Sequence, residues 1–178
     1  MLFSDRSLWT MFHGIVLSGA ALAALVAALF FVLATRPAGA APVPLTPRQA
    51  RWLSGATILA AVTLWLVVIV GTYVVFPLYR VPPPEGATDL ALYPRAMLLA
   101  DPATAWLHSF AMEIKEHVPF IAAILATGVA AVGARNPATL VNDPRIRAMG
   151  ITLLTICLGL VSAAGLLGTF INKVAPLQ

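Results

Sequence analysis

The segment WLHSFAMEIKEHVPFIAAILATGVAAVGA, residues 106–134, starts as a polar stretch and continues as an apolar run. It contains two of the three histidines in the chain, two of the seven acidic residues and one of the two lysines. Its apolar second half is typical of a helix that spans a membrane, which needs about 20 mostly apolar residues. The segment therefore predicts a transmembrane helix with an unusual group of charged residues near one end.

The composition of the whole chain is also that of a membrane protein. Its 178 residues are 60% hydrophobic and only 10% charged, whereas soluble domains carry about 25% charged residues. The net charge of +4 comes from basic residues that stand singly along the chain. Such a distribution is typical of loop arginines that set membrane topology, and we expect no nucleic-acid partner. Cys157 is the single cysteine, so the chain can form no internal disulfide.

Four apolar stretches are long enough to cross a membrane. We expect one all-α domain over residues 1–178, folded as an up-down bundle of four transmembrane helices. The helices are expected at about residues 9–35, 51–76, 104–134 and 147–172, with a longer connection at 77–101. Three helix starts combine a capping side chain with a proline, which favours the first helical position: Thr46-Pro47, Asp101-Pro102 and Asp143-Pro144.

The basic residues predict the orientation in the membrane, because cytoplasmic loops carry more arginine and lysine than outer loops. Six arginines lie on the side of the two short loops, and four basic residues lie on the opposite side. We therefore expect an inner-membrane protein of bacterial type, with both termini and the 77–101 connection outside. The six are Arg36, Arg48, Arg51, Arg135, Arg145 and Arg147, and the four are Arg6, Arg80, Arg95 and Lys173.

The two halves of the chain share several landmarks at an offset of 97 residues. The shared residues lie at equivalent starts and ends of the expected helices, so an internal duplication of a two-helix hairpin is one interpretation. With or without duplication, the first and third helices run in the same direction and are expected to lie diagonally across the bundle. The aligned residues are Trp9 with Trp106, Pro47-Arg48 with Pro144-Arg145, and Gly71-Thr72-Tyr73 with Gly168-Thr169-Phe170.

Glu113, Glu116 and His117 fall on one face of the third helix, at about 100° per residue. A charge in the bilayer interior costs about 2.5–3.5 kcal/mol, so these side chains are expected to face other helices rather than lipid. Glu113 and Glu116 form the candidate proton or quinone site, because quinol oxidation needs bases. In the alternative interpretation this end of the helix projects beyond the hydrocarbon layer, so that His108 and Glu113 are in water and only Glu116 and His117 reach the lipid boundary. Pro119 is expected to kink the helix beside the charges.

The three histidines, His13, His108 and His117, all lie toward the outer ends of the first and third helices. His108 and His117 point to opposite sides of their helix, so they cannot both bind one metal ion. Two histidines at matched depth on diagonal helices can hold a b-type haem as neutral imidazole ligands. We predict one haem b with two of these three histidines as axial ligands, and no other metal. The alternative is that the histidines are hydrogen-bonded structural residues.

In helix number, and in the pattern of His13 with His108 or His117, the chain resembles the four-helix cytochrome b membrane subunits of respiratory and electron-transfer complexes. The resemblance implies that the protein passes electrons between quinol and a partner protein, as one subunit of a multi-subunit oxidoreductase. It also implies haem b and quinone as cofactors. The partners it implies are other membrane subunits, in addition to lipid.

Two other functions are compatible with the sequence. The chain could be a non-catalytic accessory subunit that scaffolds a larger membrane complex, or a small ion-coupled transporter that uses one of the carboxylates. The segment LALYPRAMLLA, residues 90–100, is expected to lie along the membrane interface, where a partner can contact it. A stand-alone enzyme is not expected, because the sequence has no nucleotide-binding loop and no arrangement of a nucleophile with a base.

Overall fold

The computed structural model describes residues 3–36 and 41–178. Within these residues the chain is helical and has no strand, as predicted. Four long helices form a bundle, and two short helices lie in the connections between them. In chain order the helices are α1 Asp5–Thr35, α2 Pro47–Tyr79, α3 Pro94–Ala100, α4 Leu107–Arg135, α5 Pro137–Asn142 and α6 Pro144–Val174.

The four long helices, α1, α2, α4 and α6, are each long and apolar enough to cross a membrane. They contain 29 to 33 residues, which corresponds to about 44–50 Å of helix. Because the hydrocarbon layer is about 30 Å thick, an upright helix of this length extends past it at the ends. The predicted class, an all-α membrane protein with four spanning helices, is confirmed.

The long helices alternate in direction around the bundle. α1 and α4 each pack against α2 and α6, so α1 and α4 lie diagonally, as predicted. The Ser54 hydroxyl near the start of α2 donates to the Gly133 carbonyl near the end of α4 at 2.7 Å. The Ser4 amide donates to the Gln178 carbonyl at 2.8 Å. We call the end with Ser4 and Gln178 the terminal end, and the opposite end, which holds residues 41–46 and α5, the loop end.

Two of the three predicted helix starts are confirmed. Thr46 caps α2 in a capping box with Gln49, and the Thr46 hydroxyl accepts from the Gln49 amide at 3.2 Å. The Asp143 carboxylate caps α6 by accepting from the first amides of that helix at 2.9 and 3.0 Å. Each side chain satisfies amide donors that would otherwise have no partner at a helix start.

The third predicted helix start was wrong, because α4 begins at Leu107 and not at Pro102. The Asp101 carboxylate accepts from the Ala103 amide at 2.8 Å, only two residues along the chain. An Asp side chain bonded in this way favours a turn, and residues 101–105 form turns before the helix. The capping side chain was recognised correctly, but the structure that it caps is a turn.

The loop end is held together by side chains that bond to the backbone of other segments. Asn142 of α5 forms two such bonds with Val43, donating to its carbonyl at 2.9 Å and accepting from its amide at 3.0 Å. The Arg147 guanidinium donates to the Arg36 carbonyl at 2.7 Å, which joins the start of α6 to the end of α1. These bonds fix both loop connections to the bundle.

The short helix α3 closes the terminal end. Leu98 is fully buried in a small second core, where it packs with Tyr79, Leu107 and Ile171. The Thr104 hydroxyl donates to the Leu98 carbonyl at 2.9 Å and holds the end of α3 against the bundle. The segment expected along the interface is thus folded onto the bundle by this apolar contact.

Candidate functional site

A cavity of about 510 Å³ lies among α1, α2, α4 and α6 at the terminal end. Pockets for small molecules and cofactors commonly measure about 300–1,000 Å³ and combine apolar walls with a few polar groups. This cavity has that character, because valine, isoleucine and methionine side chains make up much of its wall. Its ionisable lining residues, apart from Tyr79, are Arg6, His13, Lys115, Glu116 and His117.

Three of the long helices are locally π-helical at the terminal end. The π-helical segments are Phe12–Leu17 in α1, Gly71–Val75 in α2 and Leu107–Met112 in α4. All three contribute side chains to the cavity. π-Helical turns are rare and are frequently found at functional sites, because they widen the helix and redirect side chains. The backbone therefore departs from regular α-helix at the cavity.

His13 points from α1 toward α2, where its ring lies against Gly71. A Cβ atom at position 71 would lie only 2.9 Å from Cε1 of the ring, so the glycine makes room for the histidine. The Nδ1 atom of His13 is buried and has no hydrogen-bond partner. A buried polar atom without a partner costs about 1–3 kcal/mol. The side chain is thus kept in the cavity wall although the protein does not satisfy it.

Lys115 packs against a glycine of α6, as His13 packs against a glycine of α2. A Cβ atom at Gly168 would lie 2.7 Å from the Lys115 Nζ, so this glycine makes room for the ammonium group. In the described part of the chain, Lys115 forms no hydrogen bond or ion pair. Gly71 and Gly168 are also one of the pairs aligned by the possible duplication. Each two-helix hairpin therefore has a glycine at the same aligned position, and each of these glycines accommodates a polar side chain.

Glu116 and His117 line the cavity, whereas Glu113 does not. The side chains of His117 and Glu113 are 70% and 64% exposed and lie 3.8 Å apart. The His117 Nδ1 atom lies 2.8 Å from the Glu113 carbonyl oxygen, so Nδ1 carries the proton and donates it. The expectation that these three residues face other helices was wrong, because all three are exposed and the face they share lies at the edge of the bundle, where Glu116 and His117 border the cavity. The residue of this cluster that turns inward is Lys115.

His108 does not line the cavity and belongs to a hydrogen-bonded group with Arg95, which also lies outside the lining, and Tyr79, which is part of it. The Arg95 Nε of α3 donates to its Nε2 over a long distance of 3.4 Å. Its Nδ1 is 2.8 Å from the Tyr79 hydroxyl oxygen. Because arginine can only donate, Nε2 is the acceptor and Nδ1 of the neutral ring donates to Tyr79. Both ring nitrogens of His108 thus have protein partners that join α3 and α4 to α2.

The cavity is covered at the terminal end by residues 175–178, which fold back over α1. The Arg6 guanidinium donates to the Pro176 carbonyl at 2.8 Å, and the Ser7 hydroxyl accepts from the Gln178 amide at 2.8 Å. Leu177 lines the cavity. The Nε atom of Arg6 is buried and, like His13 Nδ1, has no hydrogen-bond partner.

Of the predicted site residues, the cavity brings together His13, Glu116 and His117 and leaves out Glu113 and His108. Sequence reasoning did not place Lys115 or Arg6 in the site, and it used Arg6 only to predict the orientation. The available signal was Gly168, since a glycine in a membrane helix marks a place where another group approaches closely.

Comparison of the chain with protein-family models, with curated proteins and with solved structures found no match.

Proposed function

We propose that the protein is an integral membrane subunit of an electron-transfer complex and holds one b-type haem in the terminal-end cavity. His13 and His117 are the axial ligands in this proposal. One observation carries it: histidines from two diagonal helices line a single cavity inside a membrane bundle. Among the described residues, His13 and His117 each have a ring nitrogen without a protein partner.

The histidines of the cavity fit a haem with two imidazole ligands. His117 donates Nδ1–H to a backbone carbonyl, and this is how a ligating histidine is commonly oriented so that its Nε2 remains free for a metal. The His13 ring is positioned by packing on Gly71, without a hydrogen bond at Nδ1. His108 fits less well, because Tyr79 and Arg95 occupy both of its nitrogens.

The number of side-chain ligands also fits a haem better than a free metal ion. In the described ranges, no group of three or more His, Cys, Asp or Glu side chains could hold a metal ion. A haem iron needs only two side-chain ligands, because the macrocycle supplies the others. A pair of histidines in an apolar cavity is therefore sufficient for this cofactor.

A bound haem supplies a one-electron redox centre, whose potential depends on its axial ligands and on how dry its pocket is. The protein contributes the two imidazoles and an apolar wall. Glu116, at the exposed side of the cavity, is the candidate base for protons released by a quinol, with Glu113 beside it on the outer surface. Electrons and protons would thus separate at the terminal end.

The proposed orientation puts the terminal end outside, because six arginines lie at the loop end. The proposal includes other membrane subunits as partners. The α3 region leaves Leu92 and Leu99 exposed, at 56% and 46%, beside the cavity. A partner that exchanges electrons with the cavity would contact this side of the protein.

The test is the reduced-minus-oxidised absorption spectrum of the protein purified in a mild detergent after expression with added haem precursor. We expect a b-type signal in the unmodified protein. His13→Ala and His117→Ala should each abolish it, because each removes an axial ligand. His108→Ala is the matched control, since it removes a histidine from the same end of α4 and should keep the signal.

Three results would overturn parts of this proposal. The absence of a b-type signal in the unmodified protein would refute haem binding and favour the accessory-subunit function. Loss of the signal in His108→Ala together with its retention in His117→Ala would assign the second ligand to His108 instead. The mass of the detergent-solubilised assembly tests the partner proposal, since a monomer that keeps its electron-transfer activity alone would contradict it.

A further inference from the structure

We infer that the ligand of the terminal-end cavity is an amphiphile with a carboxylate group, and that Lys115 binds this carboxylate. The inference deepens the proposed function, because the propionate groups of haem are such carboxylates, and a free fatty acid offers the same group. The apolar part of the ligand would contact the valine-rich wall, and its carboxylate would lie where α4 faces α6.

The position of the Lys115 ammonium is the first reason. It lies against Gly168, where a Cβ atom would approach within 2.7 Å, and it lines the cavity. In the described part of the chain no carboxylate or carbonyl pairs with it. Lys115 is half-buried, and a charged group that is largely removed from water is destabilised unless it is paired. A carboxylate on the ligand would provide the missing partner.

The charges around the cavity are the second reason. Arg6 and Lys115 are the basic residues of the lining, besides its two histidines, and Glu116 is its single carboxylate. Glu116 is exposed, and its position directly after Lys115 turns it about 100° away around the helix. Arg6 adds a second unsatisfied donor, because its Nε is buried without a partner. The enclosed part of the cavity therefore has an excess of donors and positive charge.

The apolar part of the remaining lining, which lies beside the neutral polar residues Thr10, Ser18, Thr72, Thr169 and Asn172, is the third reason. Val67, Val68, Val75 and Val161 line the cavity and present no polar side-chain atoms. A small inorganic anion would leave these walls in contact with water, whereas an amphiphile would cover them. The combination favours an apolar molecule with a carboxylate over a free anion.

The experiment compares each acid with its ester on the full-length protein in a non-ionic detergent. In the first arm, haem b and haem dimethyl ester are titrated into haem-free protein, and dissociation constants are read from the absorption change. In the second arm, dodecanoate and methyl dodecanoate are added, and the melting temperature is recorded, because a bound ligand stabilises the folded protein. Both arms use unmodified protein, Lys115→Gln, Lys115→Arg and Lys173→Gln.

We expect the acid to bind about tenfold more tightly than the ester, the value of one charge-assisted hydrogen bond. Lys115→Gln should remove this preference, and Lys115→Arg should retain it. Lys173→Gln is the matched control, because Lys173 is the other lysine of the chain and is exposed outside the cavity. If Lys115→Gln does not fold, Gly168→Ala is the second variant, since its methyl group displaces the ammonium without removing the lysine.

The two arms separate this inference from the proposed function. If haem does not bind but dodecanoate stabilises the protein more than its ester does, the haem proposal fails and the carboxylate site remains. If acid and ester behave alike in both arms, or if neither binds, the inference is wrong. It is also wrong if Lys115→Gln keeps the full preference for the acid.

Discussion

The two ends of the bundle differ in the side chains that their glycines contact. At the loop end, glycines lie against the short Thr57 side chain and the apolar Leu140 side chain, and a Cβ atom at Gly133 would lie 2.6 Å from the Thr57 hydroxyl oxygen. At the terminal end, glycines lie opposite polar side chains, namely His13 at Gly71 and Lys115 at Gly168. Buried nitrogens without a partner occur at both ends, namely Arg147 Nε at the loop end and Arg6 Nε and His13 Nδ1 at the terminal end, but only Arg6 and His13 line the cavity.

The loop end therefore supplies most of the packing that stabilises the bundle, and the terminal end supplies the cavity. In lipid the hydrophobic effect does not drive helices together, so close packing and interhelical hydrogen bonds must do so. The loop end supplies such contacts, including the bond from the Ser54 hydroxyl to the Gly133 carbonyl at 2.7 Å, and the bond from Trp65 Nε1 to the Thr127 hydroxyl at 3.0 Å adds one near the middle of the bundle. With α2 and α4 held in this way, the other end can remain open around a cavity lined by unsatisfied groups.

The largest effect on stability is expected for Leu53→Ala, which tests whether the loop end is the packed half. Leu53 is 1% exposed in the main core, and removing a buried leucine side chain costs about 2–5 kcal/mol, partly because a cavity remains. In lipid, the part of this cost that comes from lost packing contacts still applies. Thermal unfolding in detergent, followed by circular dichroism, should show a clear decrease in melting temperature.

Leu59→Ala is the matched control for Leu53→Ala on the same helix. Leu59 is 54% exposed on the outside of the bundle, so its truncation should lower the stability by much less. Equal losses in the two variants would show that the loop end is not packed as described. The absorption or melting response to ligand should stay the same in both variants.

An intermediate effect is expected for Gly133→Ala, compared with Gly168→Ala at the other end. The methyl group at position 133 meets the short Thr57 side chain, whose hydroxyl already donates to backbone carbonyls at 3.0 and 3.2 Å and cannot move far. Overpacking of this kind costs about 1–3 kcal/mol. At position 168 the methyl group meets only the flexible end of Lys115, so the stability should change little.

The same two alanine variants should show the reverse order of effects when ligand binding is measured instead of stability. Gly168→Ala should weaken binding of the carboxylate ligand, whereas Gly133→Ala should leave it intact. Gly128→Ala on α4 is a control for both, because no other group lies within 4 Å of the added methyl. A loss of stability in Gly168→Ala as large as in Gly133→Ala would remove the distinction between the two ends.

The smallest effect is expected for Tyr79→Phe, which tests the hydrogen-bonded group of Tyr79, His108 and Arg95 beside the cavity. The change removes the acceptor for His108 Nδ1–H at 2.8 Å, and one such bond is worth about 0.5–1.5 kcal/mol. Global melting should change only slightly. Amide hydrogen exchange in α3 should become faster, because Arg95 connects α3 to the same histidine.

Tyr73→Phe provides the comparison for Tyr79→Phe. Tyr73 is 76% exposed, whereas Tyr79 is 6% exposed, so the loss of the Tyr73 hydroxyl should leave hydrogen exchange in α3 unchanged. Unchanged exchange in Tyr79→Phe would mean that apolar packing of Leu98 alone holds α3 in place.

The sequence by itself determined the four helices and their order. Runs of apolar residues longer than a membrane is thick can satisfy their backbone hydrogen bonds only as helices, and short connections place consecutive helices antiparallel. Thr46 and Asp143 fixed two helix starts by local capping. Asp101 misled the prediction, because the same side chain stabilises a turn as readily as a helix start.

The tertiary structure alone decided which polar residues meet. Helical periodicity placed Glu113, Glu116 and His117 on one face, but it could not show that this face lies at the edge of the bundle. Only the rotation of α4 against α6, set by packing at Gly168, turns Lys115 inward. Likewise, His108 finds Tyr79 and Arg95 through contacts with α2 and α3 that are distant in the sequence. A one-dimensional pattern records spacing along a helix, whereas the rotation of each helix depends on the neighbours against which it packs.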